Sequence, residues 1–365
     1  MMQTASTEKA LDEQWLVLRQ FLPPGWEDQA RRSGALHRAR GVPGAEALLR
    51  VLLIHLAAGH SLAETAVRAR RAGLAQLSAV ALFKRLQGAE EWLRWLAAEE
   101  RGLLVQGVPT CTRRLRAVDA TAVSEPGSTG TDWRIHYAIN LMDLQCDFFE
   151  LTDVHGGETW RRIPVTPGDI VLGDRIYAHP AGVEHVVRAG GDVVVRLNVH
   201  TLPLYTESGE KLDVLQAVGG LQVGEVCDLP AWVHPAPGVR RAGRLIAVRR
   251  SAAAARLARK KLKRKASKQQ KKISARSWKA AQYFLLWTTL PASVAASEIL
   301  EFYRCRWQIE LSFKRLKSIL GLGHLPKKDP ASARAWLHGK LLTSLLVERI
   351  IQAANTFSPW GYQVA

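Results

Sequence analysis

Acidic residues are absent from one long stretch of the chain. Between Asp228 and Glu298 the sequence has no aspartate or glutamate, although it has seventeen lysines and arginines there. The chain of 365 residues carries a formal net charge of +18, and outside this stretch basic and acidic residues nearly balance. The excess charge is thus concentrated in one segment. A basic balance of this size indicates a polyanionic partner, with nucleic acid as the leading candidate.

Cysteines and long hydrophobic runs are also scarce. The four cysteines are far apart and form no Cys-x-x-Cys pair, which argues against a disulfide framework and against a zinc site. The most apolar stretch, Leu48 to Ala58, is short and contains Arg50 and His55. The N-terminal residues are acidic where a signal peptide would be basic. We therefore expect neither secretion nor a membrane span, and a reducing compartment.

Residues 1–105 repeat apolar residues at helical spacing without a strand pattern, which predicts an all-helical N-terminal domain. Ser61 and Glu64 form a capping box at the start of one predicted helix, Gly73 can end that helix, and Ser78 can cap the next. The spacing resembles a helix-turn-helix, but any helical bundle contains such pairs. A DNA-binding role and a purely structural role both remain open for this region.

After the helical region the pattern changes to short strands separated by turns. Three consecutive strand-like runs predict an antiparallel meander, and a strand, a helix and a strand after them predict a β-α-β unit. This order of elements is that of an α/β fold with a ribonuclease H-like core. The predicted strands are residues 115–123, 133–142, 146–154, 169–172 and 192–197, and the helix is residues 179–189.

The predicted core is interrupted by an insertion. Residues 106–199 form its first part, and residues 200–290 form a β-rich basic insertion domain with strand-like pieces around a cationic run. Residues 291–365 complete the core with C-terminal helices, the first of which is predicted as one long helix from Ser293 to Leu320.

Within the insertion, residues 256–279 contain twelve basic side chains and predict a partly helical basic arm. Such a run is often only a solvated surface, but its density of charge favours contact with phosphates. Trp278, Tyr283 and Trp287 follow closely and suit either base stacking or a hydrophobic core. The residues of the arm that we expect to contact DNA are Lys260, Lys261, Lys263, Arg264 and Lys265.

Three acidic residues stand where packing alone would not select them. Asp119 interrupts an apolar strand, and Asp174 directly follows another strand, at the edge where α/β sheets bind ligands. Glu310 lies in the predicted long helix, which would pack across both strand ends. Converging carboxylates are the ligands of two-metal phosphoryl chemistry, in which two Mg²⁺ ions activate the nucleophile and stabilise the leaving oxygen.

Tyr303, Arg306, Glu310 and Lys317 are spaced so that all four fall on one face of the predicted helix. A phenol, a guanidinium, a carboxylate and an ammonium group suit a surface that holds metal ions beside phosphates. The alternative is a solvent-exposed face with a salt bridge between Arg306 and Glu310, four residues apart.

These four residues also match a specific motif, Y-x2-R-x3-E-x6-K. It is the signature of DDE transposases of bacterial insertion sequences, specifically of the insertion-sequence-four family. Val118-Asp119-Ala-Thr resembles the strand with the first acid of that family, and Gly173-Asp174-Arg-Ile-Tyr177 resembles its second-acid motif. The resemblance covers about residues 110–350.

The resemblance implies a ribonuclease H-like core, a β-rich insertion, a helical N-terminal DNA-binding region and a homodimer that acts on paired transposon ends and on target DNA. It also implies a cytoplasmic, nucleoid-associated bacterial protein. In that family two Mg²⁺ ions, for which Mn²⁺ can substitute, are held by the three acids, and three further motif residues contact DNA phosphates near the cleaved end. The matching residues here are Asp119, Asp174 and Glu310 for the metals, and Tyr303, Arg306 and Lys317 for the phosphates.

Two further segments resemble the family less specifically. His155-Gly-Gly-Glu158 is similar to a segment common after the third strand, although a structural turn explains it equally well. Some members flip a base against a tryptophan of the insertion, for which Trp232, Trp278 and Trp287 are candidates without an assignment. Family members usually continue well past the segment that resembles Ser358 to Tyr362, whereas this chain ends at residue 365.

The sequence therefore predicts a DNA transposase that binds terminal inverted repeats and catalyses metal-dependent strand cleavage and strand transfer. Two alternatives remain. One is a nuclease of the same fold that hydrolyses strands without joining them. The other is a non-catalytic or truncated derivative that occupies the DNA ends and represses transposition.

Overall fold

The N-terminal region is helical in the computed structural model, which describes residues 14–106, 113–323 and 325–356. The segment from Ser358 to Tyr362 lies outside these residues. After a helical segment at residues 14–19, five helices precede the first strand. They are α1 (Trp26–Arg32), α2 (Ala45–Leu56), α3 (Leu62–Arg71), α4 (Ala79–Gly88) and α5 (Glu90–Gln106).

The predicted caps of α3 and α4 are confirmed. The Ser61 hydroxyl accepts a hydrogen bond from the Glu64 N–H at 3.1 Å, and the Ser78 hydroxyl accepts one from the Ala81 N–H at 3.2 Å. Each bond satisfies a backbone donor that the first turn of a helix leaves free. Gly73, with φ of +65°, ends α3 in the left-handed conformation that glycine adopts without strain.

A central mixed sheet of eight strands follows, and the first five of its strands in chain order belong to the predicted core. The five strands predicted for the core are all present, within two residues of their predicted ends. They are β1 (Leu115–Val123), β2 (Trp133–Asn140), β3 (Cys146–Asp153), β4 (Ile170–Gly173) and β5 (Asp192–Arg196). The chain is thus a mixed α/β protein with a helical N-terminal region.

The strand directions confirm the predicted meander and β-α-β unit. β1, β2 and β3 pair antiparallel, whereas β4 pairs parallel to both β1 and β5. Helix α6 (Pro180–Arg188) makes the connection between β4 and β5. The carboxyl ends of β1 and β4 consequently lie at the same edge of the sheet.

The strands of the predicted insertion continue this sheet. β10 (Tyr283–Thr288) pairs antiparallel to β5, and β9 (Arg244–Arg249) and β6 (Val226–Pro230) follow beyond it, so the strand order across the sheet is β3-β2-β1-β4-β5-β10-β9-β6. β7 (Val233–Ala236) and β8 (Val239–Arg241) pair with each other. One hydrophobic cluster contains both Val118 of β1 and Trp287 of β10, so the two parts share a core. The elements are α7 (Val214–Ala217), β6 (Val226–Pro230), β7 (Val233–Ala236), β8 (Val239–Arg241), β9 (Arg244–Arg249), α8 (Ala252–Lys268), α9 (Ala275–Ala280) and β10 (Tyr283–Thr288).

The single long helix predicted from Ser293 to Leu320 was wrong. The structure has two helices, α10 (Ala296–Cys305) and α11 (Gln308–Ser318), separated by Arg306 and Trp307. At the break, backbone bonds run between residues three apart, as from the Arg306 N–H to the Tyr303 carbonyl at 3.2 Å. This tighter turn interrupts the helix without any proline or glycine that would mark it in the sequence.

The last helix, α12 (Pro330–Thr356), packs along α5 and against α2, so N-terminal and C-terminal helices share one core with a face of the sheet. Gly339 permits the contact with α2, because a Cβ atom there would lie 2.4 Å from Cδ1 of Leu56. In the described part of the chain, no helix has the combined length and hydrophobicity required to span a bilayer.

Candidate active site

Asp119 lies on β1 with its side chain 21% exposed. Its Oδ1 accepts a hydrogen bond from the Ala120 N–H at 2.8 Å, and its Oδ2 accepts one from Nη1 of Arg306 at 3.2 Å. Burial raises the pKa of Asp119 to about 6, and the negative charge of Asp174 contributes in the same direction. The ionised form of Asp119 is therefore disfavoured by its surroundings and is stabilised by a nearby cation.

Asp174 directly follows β4, and its Oδ1 accepts a hydrogen bond from the Ile176 N–H at 2.8 Å. β1 and β4 are aligned so that Ala117 pairs with Leu172, and continuing this register brings Asp119 level with Asp174. The parallel pairing of two strands thus places these two acids side by side, as the sequence predicted.

Glu310 is linked to Asp119 through a cation. The Arg306 guanidinium lies between Asp119 and Glu310, and its Nη2 donates to Oε1 of Glu310 at 2.7 Å. The Glu310 side chain is 62% exposed, whereas that of Arg306 is 13% exposed. Three carboxylates repel one another at short range, and the guanidinium neutralises two of them.

The predicted close convergence of three carboxylates is therefore not what the structure shows. Among the described residues, no three histidine, cysteine, aspartate or glutamate side chains are close enough to hold a metal ion together. The residues nevertheless fit a divalent cation. The half-buried carboxylate of Asp119, its neighbour Asp174 and the nearby Glu310 offer hard oxygen donors, and Asp119 already pairs with a positive charge.

The motif residues other than the acids lie on both sides of the break between α10 and α11. Tyr303 is 7% exposed and its ring packs edge-on against Phe284, with centroids 5.5 Å apart. Burial raises the pKa of the Tyr303 hydroxyl to about 12. Lys317 instead reaches the end of β1, where its Nζ donates to the Ala122 carbonyl at 3.1 Å. Arg306 connects these groups, because it lies over the Tyr303 ring and pairs with Glu310, and both Arg306 and Lys317 contact β1.

Glu158 lies close to Asp119 and Asp174. The only indication of this in the sequence was the resemblance of the segment from His155 to Glu158 to a segment of the family. Glu158 forms an ion pair with Arg134, 3.5 Å from Nε to Oε1, and its side chain is 18% exposed. Burial raises the pKa of Glu158, and the charges of Asp119 and Asp174 raise it further. Sequence analysis did not single out this carboxylate as a site residue.

Three arginines that sequence analysis missed border the same site: Arg175, Arg196 and Arg250 line one cavity next to the second acid. Arg175 directly follows Asp174, and this adjacency was the one feature of the sequence that could have indicated an arginine near the site.

The basic arm is helical, as predicted, and includes α8 and α9. Trp287 and Tyr283 are buried in the hydrophobic core, so of the two roles left open by the sequence, base stacking and core packing, these residues have the second. Trp278 is only half-buried, and Arg259 and Lys263 of α8 lie over its ring at 4.9 and 5.4 Å from the centroid. The five predicted DNA-contacting residues, Lys260, Lys261, Lys263, Arg264 and Lys265, all lie on α8 and are exposed.

Comparison with known proteins agrees with these features. A family model described as the transposase DDE domain matches residues 111–346, which include all six motif residues. The chain is 35% identical over 347 residues to the putative transposase InsL of insertion sequence element IS186A from Escherichia coli K12, covering 92% of this chain and 93% of that protein. It is also 35% identical over 348 residues to the transposase of insertion sequence element IS421 from Escherichia coli, with the same coverage. This chain therefore belongs to the DDE transposase family of enzymes that act on DNA.

Proposed function

We propose that this protein is the transposase of an insertion sequence of the insertion-sequence-four family. It binds terminal inverted repeats, hydrolyses a phosphodiester bond at each end and joins the free 3′-hydroxyl to target DNA. The observation that carries the proposal is the arrangement of Asp119 and Asp174 on adjacent parallel strands, with Arg306 linking Asp119 to Glu310.

The strand order β3-β2-β1-β4-β5 supports a ribonuclease H-like core, because this meander followed by a β-α-β unit brings the ends of β1 and β4 together. Residues 106–199 and 291–365 form that core, residues 200–290 form the insertion, and residues 1–105 form a DNA-binding region.

Asp119, Asp174 and Glu310 would hold the divalent ions, with Mg²⁺ as the physiological metal and Mn²⁺ as a substitute. Bound ions supply Lewis-acid activation of the nucleophile and stabilisation of the leaving oxygen. The carboxylate of Asp119, which interacts with Asp174 and is linked to Glu310 through Arg306, would contribute hard oxygen ligands to these ions.

Arg306 and Lys317 bind phosphates of the DNA end. Arg306 can do so bidentately after it releases Asp119 and Glu310, and Lys317 acts as a point charge at the end of β1. Tyr303 contributes its hydroxyl from the buried ring beside Arg306. These contacts orient the scissile bond toward the acids.

Two copies of the chain act together on paired ends, and the protein works in the cytoplasm in association with the nucleoid. α3 and α4 are the candidate DNA readers of the N-terminal region, and the arm on α8 contributes phosphate contacts.

The test is strand cleavage of a plasmid that carries the element ends, in Mg²⁺. We expect Glu310→Ala to abolish cleavage and Glu301→Ala, an exposed acid on α10, to leave it unchanged. Normal cleavage by Glu310→Ala would overturn the assignment of the acid.

Two assays separate the proposal from its alternatives. A pre-cut end incubated with target DNA should yield joined products, whereas a plain nuclease would yield none. Excision from a donor plasmid in cells should occur, whereas a repressor would bind ends without excising the element.

A further inference from the structure

A fourth carboxylate, that of Glu158, belongs to the acidic cluster of the proposed active site. Burial raises the pKa of Glu158, and the negative charges of Asp119 and Asp174 raise it further. Among the described residues, the only polar contact of this carboxylate is the ion pair with Arg134, which at 3.5 Å is long. Because an ionised carboxylate can accept about four hydrogen bonds, most of the acceptor capacity of Glu158 remains unused.

The Tyr177 hydroxyl is buried beside the same carboxylates and has no hydrogen-bond partner among the described residues. Burial raises the pKa of Tyr177, and the negative charges of Asp119, Glu158 and Asp174 raise it further. The hydroxyl therefore stays protonated and is available as a donor. Because buried donors normally find acceptors, this one is placed for an acceptor that the chain does not bring to it in this arrangement.

Close packing fixes the position of this hydroxyl. The Tyr177 side chain is 2% exposed, and its ring lies against that of Trp160 with centroids 5.7 Å apart. Gly173 permits this packing, because a Cβ atom there would lie 2.6 Å from Cζ2 of Trp160 and 2.8 Å from Cβ of Tyr177. The end of β4, which Asp174 directly follows, therefore packs against the ring that carries the hydroxyl.

A cavity of about 540 Å³ brings solvent to these groups. Glu158 and Tyr177 line it, together with Ile176, whose N–H donates to Oδ1 of Asp174. Six water molecules of about 30 Å³ each occupy about 180 Å³, so the cavity is large enough for a divalent ion with its water shell.

We propose that Glu158, oriented by Tyr177, is a positioning residue that accepts hydrogen bonds from the water molecules of a divalent ion at Asp119 and Asp174. The inference rests on the proposed function, since it concerns the same ion. Mg²⁺ usually keeps several water molecules and binds through one or two carboxylates, which agrees with the finding that no three described acids are close enough to ligate one ion together. The Tyr177 hydroxyl donates to Glu158 and fixes the direction of its carboxylate, as hydrogen bonds around metal sites commonly do.

The test measures Mn²⁺ binding by the full chain without DNA, from the electron paramagnetic resonance signal of the free ion. The variants are Glu158→Gln, which removes the carboxylate, and Tyr177→Phe, which keeps the ring on Trp160 and removes the hydroxyl. Arg134→Gln breaks the same ion pair as Glu158→Gln but leaves the carboxylate in place. The matched control is Glu150→Gln, which makes the same change in charge in the ion pair with Arg162.

We expect Glu158→Gln to weaken Mn²⁺ binding about tenfold and Tyr177→Phe to weaken it about threefold. Arg134→Gln and the control should bind Mn²⁺ at least as tightly as the wild type. Equal weakening by Glu158→Gln and Arg134→Gln would overturn the proposal, because the ion pair rather than the carboxylate would then matter. Wild-type affinity in Glu158→Gln or in Tyr177→Phe would also overturn it, and so would wild-type affinity in Asp174→Asn, because the ion would then lie elsewhere.

These outcomes are separable from the proposed function. If the wild type cleaves and joins DNA ends but Glu158→Gln binds Mn²⁺ normally, the inference fails and the transposase proposal stands. If the wild type neither cleaves nor joins DNA ends while Mn²⁺ binding still depends on Glu158 and Tyr177, the transposase proposal fails and these residues keep their role at the ion.

Discussion

Arg306 donates a hydrogen bond from Nη1 to Oδ2 of Asp119 at 3.2 Å, although 187 residues separate them in the chain. The same guanidinium pairs with Glu310, so one cation joins the first and third acids of the proposed site. A divalent ion bound by these carboxylates would compete with Arg306 for them. Under the proposed function, metal binding would therefore release Arg306 toward DNA.

This competition predicts a specific effect of Arg306→Ala. Removing the guanidinium leaves the buried Asp119 without a cation, so the free energy of unfolding without metal should fall by about 1 to 3 kcal/mol. Mg²⁺ should then raise the melting temperature of the variant more than that of the wild type. Thermal denaturation with and without Mg²⁺ measures the loss of stability and the effect of the metal. The control is Arg304→Ala, which removes an arginine from an exposed ion pair with Glu301. If Mg²⁺ raised the melting temperatures of the variant and the wild type equally, the proposed competition between the metal and Arg306 would be wrong.

A pH-dependent effect is expected at Glu348 of α12, where Oε2 accepts a hydrogen bond from the Cys146 N–H at 3.2 Å. Burial raises the pKa of Glu348 from 4.5 to about 7. The folded state therefore binds the proton more tightly than the unfolded state. The ionised carboxylate costs stability above about pH 7, and this cost disappears as the pH falls to 4.5.

Glu348→Gln should accordingly raise the free energy of unfolding by about 2 to 3 kcal/mol at pH 8 and change it little at pH 4.5. Urea denaturation at both pH values measures the difference. A gain of equal size at the two pH values would show that the effect does not come from ionisation.

For the basic arm, replacing Lys260, Lys261, Lys263 and Arg264 by glutamine should weaken DNA binding and flatten its dependence on salt. Each lost phosphate contact reduces the slope of log affinity against log salt concentration by about 0.9. Titration of DNA binding at several salt concentrations measures that slope, and a graded series from one to four substitutions serves as the internal control. An unchanged slope would mean that these residues do not contact phosphates.

The close approach of α12 to α2 predicts a packing effect. Gly339→Ala places a Cβ atom 2.4 Å from the buried Cδ1 of Leu56, which should cost about 1 to 3 kcal/mol of stability. Leu56→Ala should itself destabilise the protein through a cavity, but the double variant should lose less than the sum of the two. Chemical denaturation of the four proteins measures this coupling. Strict additivity would contradict the contact.

The helices and strands of the core were predictable because their signals are local. Short apolar and β-branched runs bounded by turns predicted β1 to β5, and Ser61 and Ser78 marked helix starts through bonds within one turn. The family motif also identified Asp119, Asp174 and Glu310 as candidates. Their roles in metal binding remain a proposal.

Other features were decided only by tertiary contacts. The break at Arg306 has no proline or glycine to announce it, and its side chain finds Asp119 only when β1 packs beside α11. The cavity with Arg196 and Arg250 forms because β5, β9 and β10 pair at a distance in sequence, so no local pattern shows that their charges meet.

The sequence by itself determined the helix caps, most of the helices and strands, and the motif residues. Local periodicity and short-range hydrogen bonds can be read in this way because they depend only on neighbours in the chain. The tertiary structure decided which charges face each other, because the electrostatic energy depends on distances in space and on burial. The sequence of this protein shows the three acids, and only the tertiary structure shows that Arg306 pairs with two of them, Asp119 and Glu310.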